Sequence, residues 1–179
     1  LLPLVKETTM GFAKSPYPEK EAKQAFFKLM LAGFATDAKS SLVPRFQHDL
    51  GTNRTIWQDD NTGWLGIDEW RTSPRGDGSN GTTSLYHRKD LLWEMQYGGA
   101  YPKQAIPFLQ KALLQAYTKH IWLGGRGLEG SLGGGYVYYN NPHPDSHFSK
   151  FNGQEYIIRT VDGKQEYVGT HTYHGGWLY

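Results

Sequence analysis

Two segments of the chain show apolar residues at helical spacing. Between residues 18 and 34, side chains such as Phe26 and Met30 recur every three or four positions, and Pro18 suits the first turn of a helix. A second pattern of this kind covers residues 106–119. Both segments are predicted to be amphipathic helices, and the Phe26/Met30 stripe is interpreted as part of the core.

Alternation of apolar and polar residues predicts strands. The clearest case places Trp93, Met95 and Tyr97 on one face of a strand, so this face is expected to be buried. The predicted strands cover residues 63–71, 82–88, 91–98, 136–139, 154–161 and 164–174. Predicted loops cover residues 36–61 (with room for one short strand), 73–81 (a mobile hairpin tip) and the glycine-rich 124–135.

The last two predicted strands flank Asp162-Gly163, a strong signal for a two-residue hairpin turn. Such a turn fixes the cross-strand register of the hairpin. The expected pairs are Val161 with Lys164, Arg159 with Glu166 and Ile157 with Val168. The opposite face is then expected to carry Tyr156, Ile158, Tyr167, His171 and Tyr173.

Together these elements predict an α+β fold in two layers. We expect a curved, mainly antiparallel sheet of five to seven strands, with two helices packed on one face. Residues 1–17 follow no clear period and are predicted to be an extended N-terminal arm. Residues 18–179 are predicted to be a single domain, because 179 residues are most simply arranged around one core.

Composition narrows the classes of function. With 19 basic and 17 acidic residues, the chain lacks the basic stripe typical of nucleic-acid binding, so no such partner is expected. The absence of cysteine excludes disulfides, thiolate metal sites and cysteine nucleophiles. No apolar run approaches the ~20 residues of a membrane span. Because Leu1 is apolar and not Met, signal cleavage is one interpretation, which favours a periplasmic or extracellular location over a cytoplasmic one.

Short motifs along the chain resemble a known family. In order they are His48-Asp49-Leu50, Ile67-Asp68, Trp93-x-Met95-x-Tyr97-x-Gly99, Arg126-Gly127, Phe151-Asn152-Gly153 with Glu155, Asp162-Gly163-Lys164, Tyr167 and His174-Gly175-Gly176. Over residues 22–177 the chain resembles the bacterial domain-of-unknown-function 5680 family. This resemblance implies a small module, stand-alone or attached to a helix-turn-helix regulator. It implies no activity and assigns no catalytic residue.

Histidines are the candidate metal ligands. His143 and His147 share a proline-flanked loop, whereas His171 and His174 lie near the end of the last predicted strand. Residues three apart on a regular strand point to opposite faces, so His171 and His174 cannot chelate one ion without a bulge. The other pair suits an exposed polar loop. No metal and no cofactor are therefore predicted, and His143 and His147 remain the only candidates for a metal.

A hydrolase-like enzyme is one hypothesis for the function. His174 or His48 would be the general base, and Glu155, Asp49 or Asp68 its orienting or acidic partner. Gly175 and Gly176 follow His174 and would let a substrate approach the backbone. Against this hypothesis, no nucleophile is evident, since the sequence around the loop serines is not a Gly-x-Ser-x-Gly elbow.

The aromatic content favours another function. Six Trp, twelve Tyr and eight Phe are more than one small core holds, and exposed rings commonly form ligand surfaces. The preferred hypothesis is non-catalytic recognition of a small molecule, peptide or glycan by the open sheet face or its rim. The expected polar contacts are Arg126, His174 and Glu155, and the expected stacking surfaces are Tyr97, Tyr138 and Trp177. The hydrolase is the alternative, and a homo-oligomer assembled through sheet edges is the third hypothesis.

Overall fold

The computed structural model describes residues 17–36, 45–47 and 52–179 of the chain. The N-terminal arm predicted for residues 1–17 lies outside the described residues except for Tyr17, and the candidates His48 and Asp49 lie outside them too. The described residues form two α-helices and nine β-strands. All nine strands belong to one antiparallel sheet with two free edges.

The sheet consists of two meanders that meet in its centre. The helices are α1 (Glu19–Ala32) and α2 (Ile106–Thr118). The strands are β1 (Arg45–Gln47), β2 (Thr52–Asp59), β3 (Trp64–Thr72), β4 (Gly78–His87), β5 (Asp90–Ala100), β6 (Gly130–Gly133), β7 (Tyr136–Pro142), β8 (Lys150–Val161) and β9 (Lys164–Trp177). Their order across the sheet is β1-β2-β3-β4-β5-β9-β8-β7-β6, so the central contact joins β5 to β9.

The predicted α+β class and the antiparallel sheet with two helices are confirmed, but the predicted five to seven strands are too few. Eight strands have four or more residues, and β1 adds a three-residue edge. The prediction allowed one short strand within residues 36–61, where the structure has β1 and the eight-residue β2, and it missed β6, because these segments read as loops. The buried face of β2 carries Thr55, which is 0 % exposed, so its inward positions do not show apolar alternation.

Both helices pack on the same face of the sheet. Phe26 of α1 contacts Trp93 of β5 and Tyr117 of α2, with ring centroids 5.7 and 5.9 Å apart. Leu29 lies so close to Gly66 of β3 that a Cβ at that glycine would stand 2.9 Å from Leu29 Cδ2. No helix in the described part of the chain combines the length and the hydrophobicity that crossing a membrane requires.

We call the face beneath the helices the covered face and the other one the open face. In β9, His171 and Tyr173 belong to the covered face and are 5 % and 1 % exposed. Thr172 and His174 alternate with them and are exposed on the open face. The hydrophobic core therefore lies on one side of the sheet.

A β-bulge at Val168 changes the register of the β8–β9 hairpin. The predicted pairs next to the Asp162-Gly163 turn are confirmed, but Ile157 pairs with Gly169 and not with Val168. One extra residue moves every later side chain of its strand to the other face. Of the predicted face Tyr156, Ile158, Tyr167, His171 and Tyr173, the last two therefore lie on the other side of the sheet.

Candidate functional site

Three charged or ionisable side chains lie buried together on the covered face. Arg126, Glu155 and His171 are 4 %, 0 % and 5 % exposed. Glu155 of β8 and His171 of β9 are cross-strand partners, which the bulge makes possible. Arg126 comes from the loop that follows α2. Buried charges are costly unless they are paired, so the partners of these groups decide what the site can do.

Glycines allow the loop that carries Arg126 to lie against the sheet. Gly124 and Gly125 have φ angles of +64° and +73°, a left-handed conformation that glycine adopts without strain. A Cβ on Gly124 would collide with the ring of Tyr173 in β9. The close approach of this backbone places the Arg126 guanidinium beside Glu155.

Glu155 is held as a carboxylate by its neighbours. Arg126 Nη2 and the Tyr138 hydroxyl donate hydrogen bonds to its two oxygens, and His171 Nδ1 lies 3.2 Å from Oε1. Burial acts to raise the pKa of this carboxyl. The Arg126 guanidinium and the hydrogen bonds from His171 and Arg126 outweigh burial and lower the pKa of Glu155 to about 2. Glu155 is therefore ionised at neutral pH.

His171 connects this carboxylate to a serine. Its Nε2 lies 3.0 Å from Ser79 Oγ. Its Nδ1 lies 3.2 Å from Glu155 Oε1 and 3.4 Å from Arg126 Nη2. The carboxylate is the nearer neighbour and the better acceptor, so we assign the ring proton to Nδ1. Nε2 then accepts the hydrogen bond of the Ser79 hydroxyl.

A second buried carboxylate, Asp68, lies beside this cluster. Asp68 is 3 % exposed, and its Oδ1 accepts hydrogen bonds from Thr83 Oγ1 at 2.8 Å and from the Tyr97 hydroxyl at 3.1 Å. The Tyr97 ring also contacts Arg126, whose Cζ lies 5.1 Å from the ring centroid. Tyr97 thus bridges Asp68 and the guanidinium.

These polar groups form the floor of a cavity that we call the helix–sheet pocket. It has a volume of about 60 Å³ and lies between both helices and the covered face. Its polar lining includes Ser79, Asp68, Tyr97, Arg126 and His171. Its apolar walls include Met30, Phe34, Trp70, Met95, Leu109 and Leu113. The lining also includes half-buried Phe34, which follows α1, and half-buried Ile106, at the start of α2.

A residue that lines this pocket has an unpaired donor. Arg126 lines the pocket, and the buried Nε of Arg126 makes no hydrogen bond with any described residue. Leaving a buried donor without a partner costs about 1–3 kcal/mol. A ligand that brings an acceptor atom to this nitrogen would remove that cost.

The structure brings four predicted site residues together. Arg126 and Tyr97 line the helix–sheet pocket. Glu155 and Tyr138 lie behind Arg126 in its hydrogen-bond network. Tyr138 was expected to offer a stacking surface, but it is 0 % exposed and contributes its hydroxyl instead. Burial and the neighbouring Glu155 raise the pKa of Tyr138 well above its usual value, so this hydroxyl keeps its proton.

His174 lies away from these residues, on the open face. Its cross-strand partners are Gln96 of β5 and Asn152 of β8, and neither is a nucleophile or an acid. It lines a polar groove of about 450 Å³ together with Glu69 and Arg71, among others. The sheet therefore separates His174 from the Arg126–Glu155 pair, and the three do not converge in one cleft.

The remaining sequence candidates lie at the margins of the described structure. Trp177 is half-buried against Phe148, with ring centroids 5.5 Å apart, and lines a groove of about 900 Å³ near the end of the chain. His143 and His147 are exposed, and His143 Nδ1 lies 3.9 Å from Asp145 Oδ2. Among residues 17–36 and 52–179, no group of three or more His, Asp or Glu side chains is placed to hold a metal ion.

Sequence reasoning missed Ser79 and His171, and it named Asp68 only as a possible acidic partner of another histidine. Ser79 was assigned to a mobile tip, whereas β4 begins at Gly78 and pairs Ser79 with Gly99. His171 was placed on the wrong face, because nothing local announces the bulge. Asp68 did carry a signal, since it occupies an inward position of β3 whose other inward side chains are mostly apolar. A lone acid in such a pattern indicates a buried, partnered carboxylate.

Comparison with known proteins identified no relative of this chain. No family model matches the chain, and no curated protein and no solved structure matches it. The resemblance to the domain-of-unknown-function 5680 family therefore stays a prediction from the sequence motifs. The function of the site has to be argued from its own geometry.

Proposed function

We propose that this protein recognises a small, neutral carbonyl compound with an apolar body, which binds in the helix–sheet pocket. The observation that carries the proposal is that Arg126, which lines a pocket with apolar walls, has an unpaired Nε. Small-molecule sites typically combine apolar walls with a few converging polar groups. The proposal keeps ligand recognition, the preferred hypothesis from the sequence, and moves the site from the open face to the covered face.

The polar floor calls for a hydrogen-bond acceptor on the ligand. Arg126 Nη2 already donates to Glu155, whereas Nε has its hydrogen still to donate. A carbonyl oxygen accepts such a bond at about 2.7–3.2 Å. Because the guanidinium cannot lose its proton in a protein, this donor is present at every working pH.

The charges around the pocket favour a neutral acceptor over an anion. The Arg126 guanidinium is already paired with the Glu155 carboxylate, and both side chains are buried. The positive charge of Arg126 is therefore already balanced. A carboxylate ligand would lose its hydration and add a like charge, whereas a ketone, amide or ester carbonyl would not.

The size of the pocket limits what enters it. A volume of about 60 Å³ is far below the roughly 300–1,000 Å³ of pockets that enclose a drug-sized ligand. The carbonyl head and a short chain fit inside. A larger body does not fit inside, where Phe34 and Trp70 make an edge-to-face contact with ring centroids 5.7 Å apart.

The test compares pentan-2-one with butanoate, two molecules of the same shape that differ in charge. Titrations are followed by the backbone amide signals in NMR spectra. We expect pentan-2-one to shift the signals of Phe34, Trp70 and Ser79 saturably. Butanoate should bind at least about tenfold more weakly, which corresponds to about 1.4 kcal/mol.

Two results would contradict the proposal. Saturable shifts confined to Gln96, Thr172 and His174 would place ligand recognition in the groove of the open face. The absence of saturation by both compounds would remove the helix–sheet pocket as a carbonyl site.

Assembly through sheet edges has less support. The edge strands β1 and β6 have three and four residues. Short edge strands are one means by which proteins limit pairing between sheets of different molecules. Recognition in the pocket therefore explains more of the geometry than self-association does.

A further inference from the structure

We infer that the helix–sheet pocket also hydrolyses esters of short carboxylic acids, with Ser79 as the nucleophile and His171 as its general base. This inference rests on the proposed binding of a carbonyl group. It goes further because the bound molecule is cleaved. The sequence suggested a hydrolase centred on His174, whereas the geometry points to the other histidine and the other face.

The distances match a nucleophile, a base and an orienting acid in series. Ser79 Oγ lies 3.0 Å from His171 Nε2, and His171 Nδ1 lies 3.2 Å from Glu155 Oε1. Both lie within or at the limit of the about 2.6–3.2 Å reach typical of such groups. Ser79 is half-buried and lines the pocket, so a bound molecule can reach its hydroxyl.

Glu155 acts as a positioning residue. Hydrogen bonds from Arg126 and Tyr138 fix its carboxylate, which in turn fixes the His171 ring and its Nδ1 proton. This tautomer leaves Nε2 as the acceptor that a general base requires. When the ring gains a second proton, the adjacent carboxylate stabilises the resulting imidazolium.

In the first half of the reaction, Ser79 Oγ attacks the ester carbonyl carbon and His171 Nε2 takes the hydroxyl proton. A C–O bond forms to Ser79 as the carbonyl oxygen gains negative charge. The intermediate then expels the alkoxide, which leaves as the alcohol with the proton from His171. The products of this half are an acyl-Ser79 ester and one alcohol.

Water completes the second half. His171 Nε2 takes a proton from water, whose oxygen attacks the acyl carbon. The bond to Ser79 Oγ breaks, and the proton on His171 returns to this oxygen. The carboxylic acid leaves and the enzyme is regenerated, so the net reaction consumes one ester and one water.

Arg126 supplies the donor for the developing charge. Arg126 lines the same pocket as Ser79, and its Nε has no hydrogen-bond partner among the described residues. A donor that is already oriented towards an oxyanion in a dry site stabilises the transition state more than the ground state. The group that recognises the carbonyl in the proposed function would therefore promote its cleavage. The product carboxylate would carry the same charge as Glu155, whose repulsion favours its release.

The experiment measures hydrolysis of p-nitrophenyl butanoate by the full chain and by Ser79→Ala. We expect the variant to lose at least about 100-fold in kcat/KM, as removal of a nucleophile does. The matched control is Ser131→Ala, which removes an exposed serine of β6 away from the pocket. Circular dichroism and thermal unfolding verify that both variants fold.

A second measurement does not depend on a variant. An alkyl fluorophosphonate should form a phosphorus–oxygen bond to Ser79 Oγ with loss of fluoride, which peptide mass spectrometry locates. Labelling of Ser79 together with the loss of activity in Ser79→Ala supports the inference. Equal activity in the two proteins, or absence of an adduct on Ser79, overturns it. Binding of pentan-2-one is measured separately, so recognition without hydrolysis would refute only this inference.

Discussion

Two arginine–glutamate pairs, one on each face of the sheet, contain the same groups but differ in their exposure to water. Arg126 and Glu155 are paired on the covered face, where their side chains are 5 % and 0 % exposed. Arg54 and Glu69 are paired on β2 and β3, where their side chains are 48 % and 27 % exposed. The groups are the same, but only the first pair is removed from water.

The comparison shows where a polar group can acquire a specific role. Water screens the pair formed by Arg54 and Glu69, so either partner can be lost at little cost. The buried groups around Arg126 depend on one another. Arg126 lowers the pKa of Glu155, and the Glu155 carboxylate in turn lies within hydrogen-bond distance of His171 Nδ1. The buried pair therefore orients His171 and leaves Arg126 Nε without a partner among the described residues, whereas the exposed pair adds only a modest contact.

The largest expected effect comes from removing one cation from each pair. Arg126→Met leaves Glu155 buried without its counter-ion and should lower the free energy of unfolding by about 3–5 kcal/mol. Arg54→Met, the matched control, should lower it by less than about 1 kcal/mol. Urea unfolding of both variants measures the difference. Equal losses of unfolding free energy in the two variants would show that the buried pair contributes no more to stability than the exposed pair.

The next effect is a dependence on pH that belongs to Glu155. The pKa of this carboxyl is lowered from 4.5 to about 2 in the folded protein, so its contribution to stability is complete above pH 4.5 and is lost as the pH falls towards 2. At 1.36 kcal/mol per pH unit, this difference corresponds to about 3 kcal/mol.

Urea unfolding between pH 5 and 2 measures this contribution, with Glu155→Gln as the control. The amide does not titrate, so stability should fall less steeply in the variant than in the original protein. Parallel curves for the two proteins would mean that Glu155 is not held ionised by Arg126 and His171.

The smallest effect compares neighbouring tyrosines of β7 that point to opposite faces. The Tyr138 hydroxyl donates to Glu155 and accepts the Gly127 N–H, so Tyr138→Phe should cost about 1–3 kcal/mol. Tyr139 stacks on Tyr156 of the open face, with ring centroids 5.0 Å apart. Tyr139→Phe keeps that ring and should change stability by less than about 0.5 kcal/mol. Thermal or urea unfolding distinguishes the two.

Much of the fold could be predicted because it depends on local patterns. The helical stripe around Phe26 and the turn at Asp162-Gly163 are both where the sequence places them. The strand β2 could not be predicted in this way, because its buried position is filled by Thr55 under α1. Tertiary packing determines that this segment forms a strand, and the sequence shows no alternation of apolar residues that would indicate it.

The candidate site could be predicted only in part, since it depends on contacts between distant segments. Arg126 and Glu155 were chosen for their chemistry, and they do meet. Ser79 and His171 were not chosen, because their meeting requires both the β5–β9 contact and the bulge at Val168. A single inserted residue decides which histidine faces the core, and no local propensity identifies it.

The side-chain Nε–H signal of Arg126 in an NMR titration with pentan-2-one tests the central claim most directly. We predict that this signal shifts saturably as the carbonyl oxygen accepts its hydrogen bond, while the ring signals of His174 stay unchanged. A stationary Arg126 signal during saturable movement of the His174 ring would place recognition on the open face and contradict the proposed site.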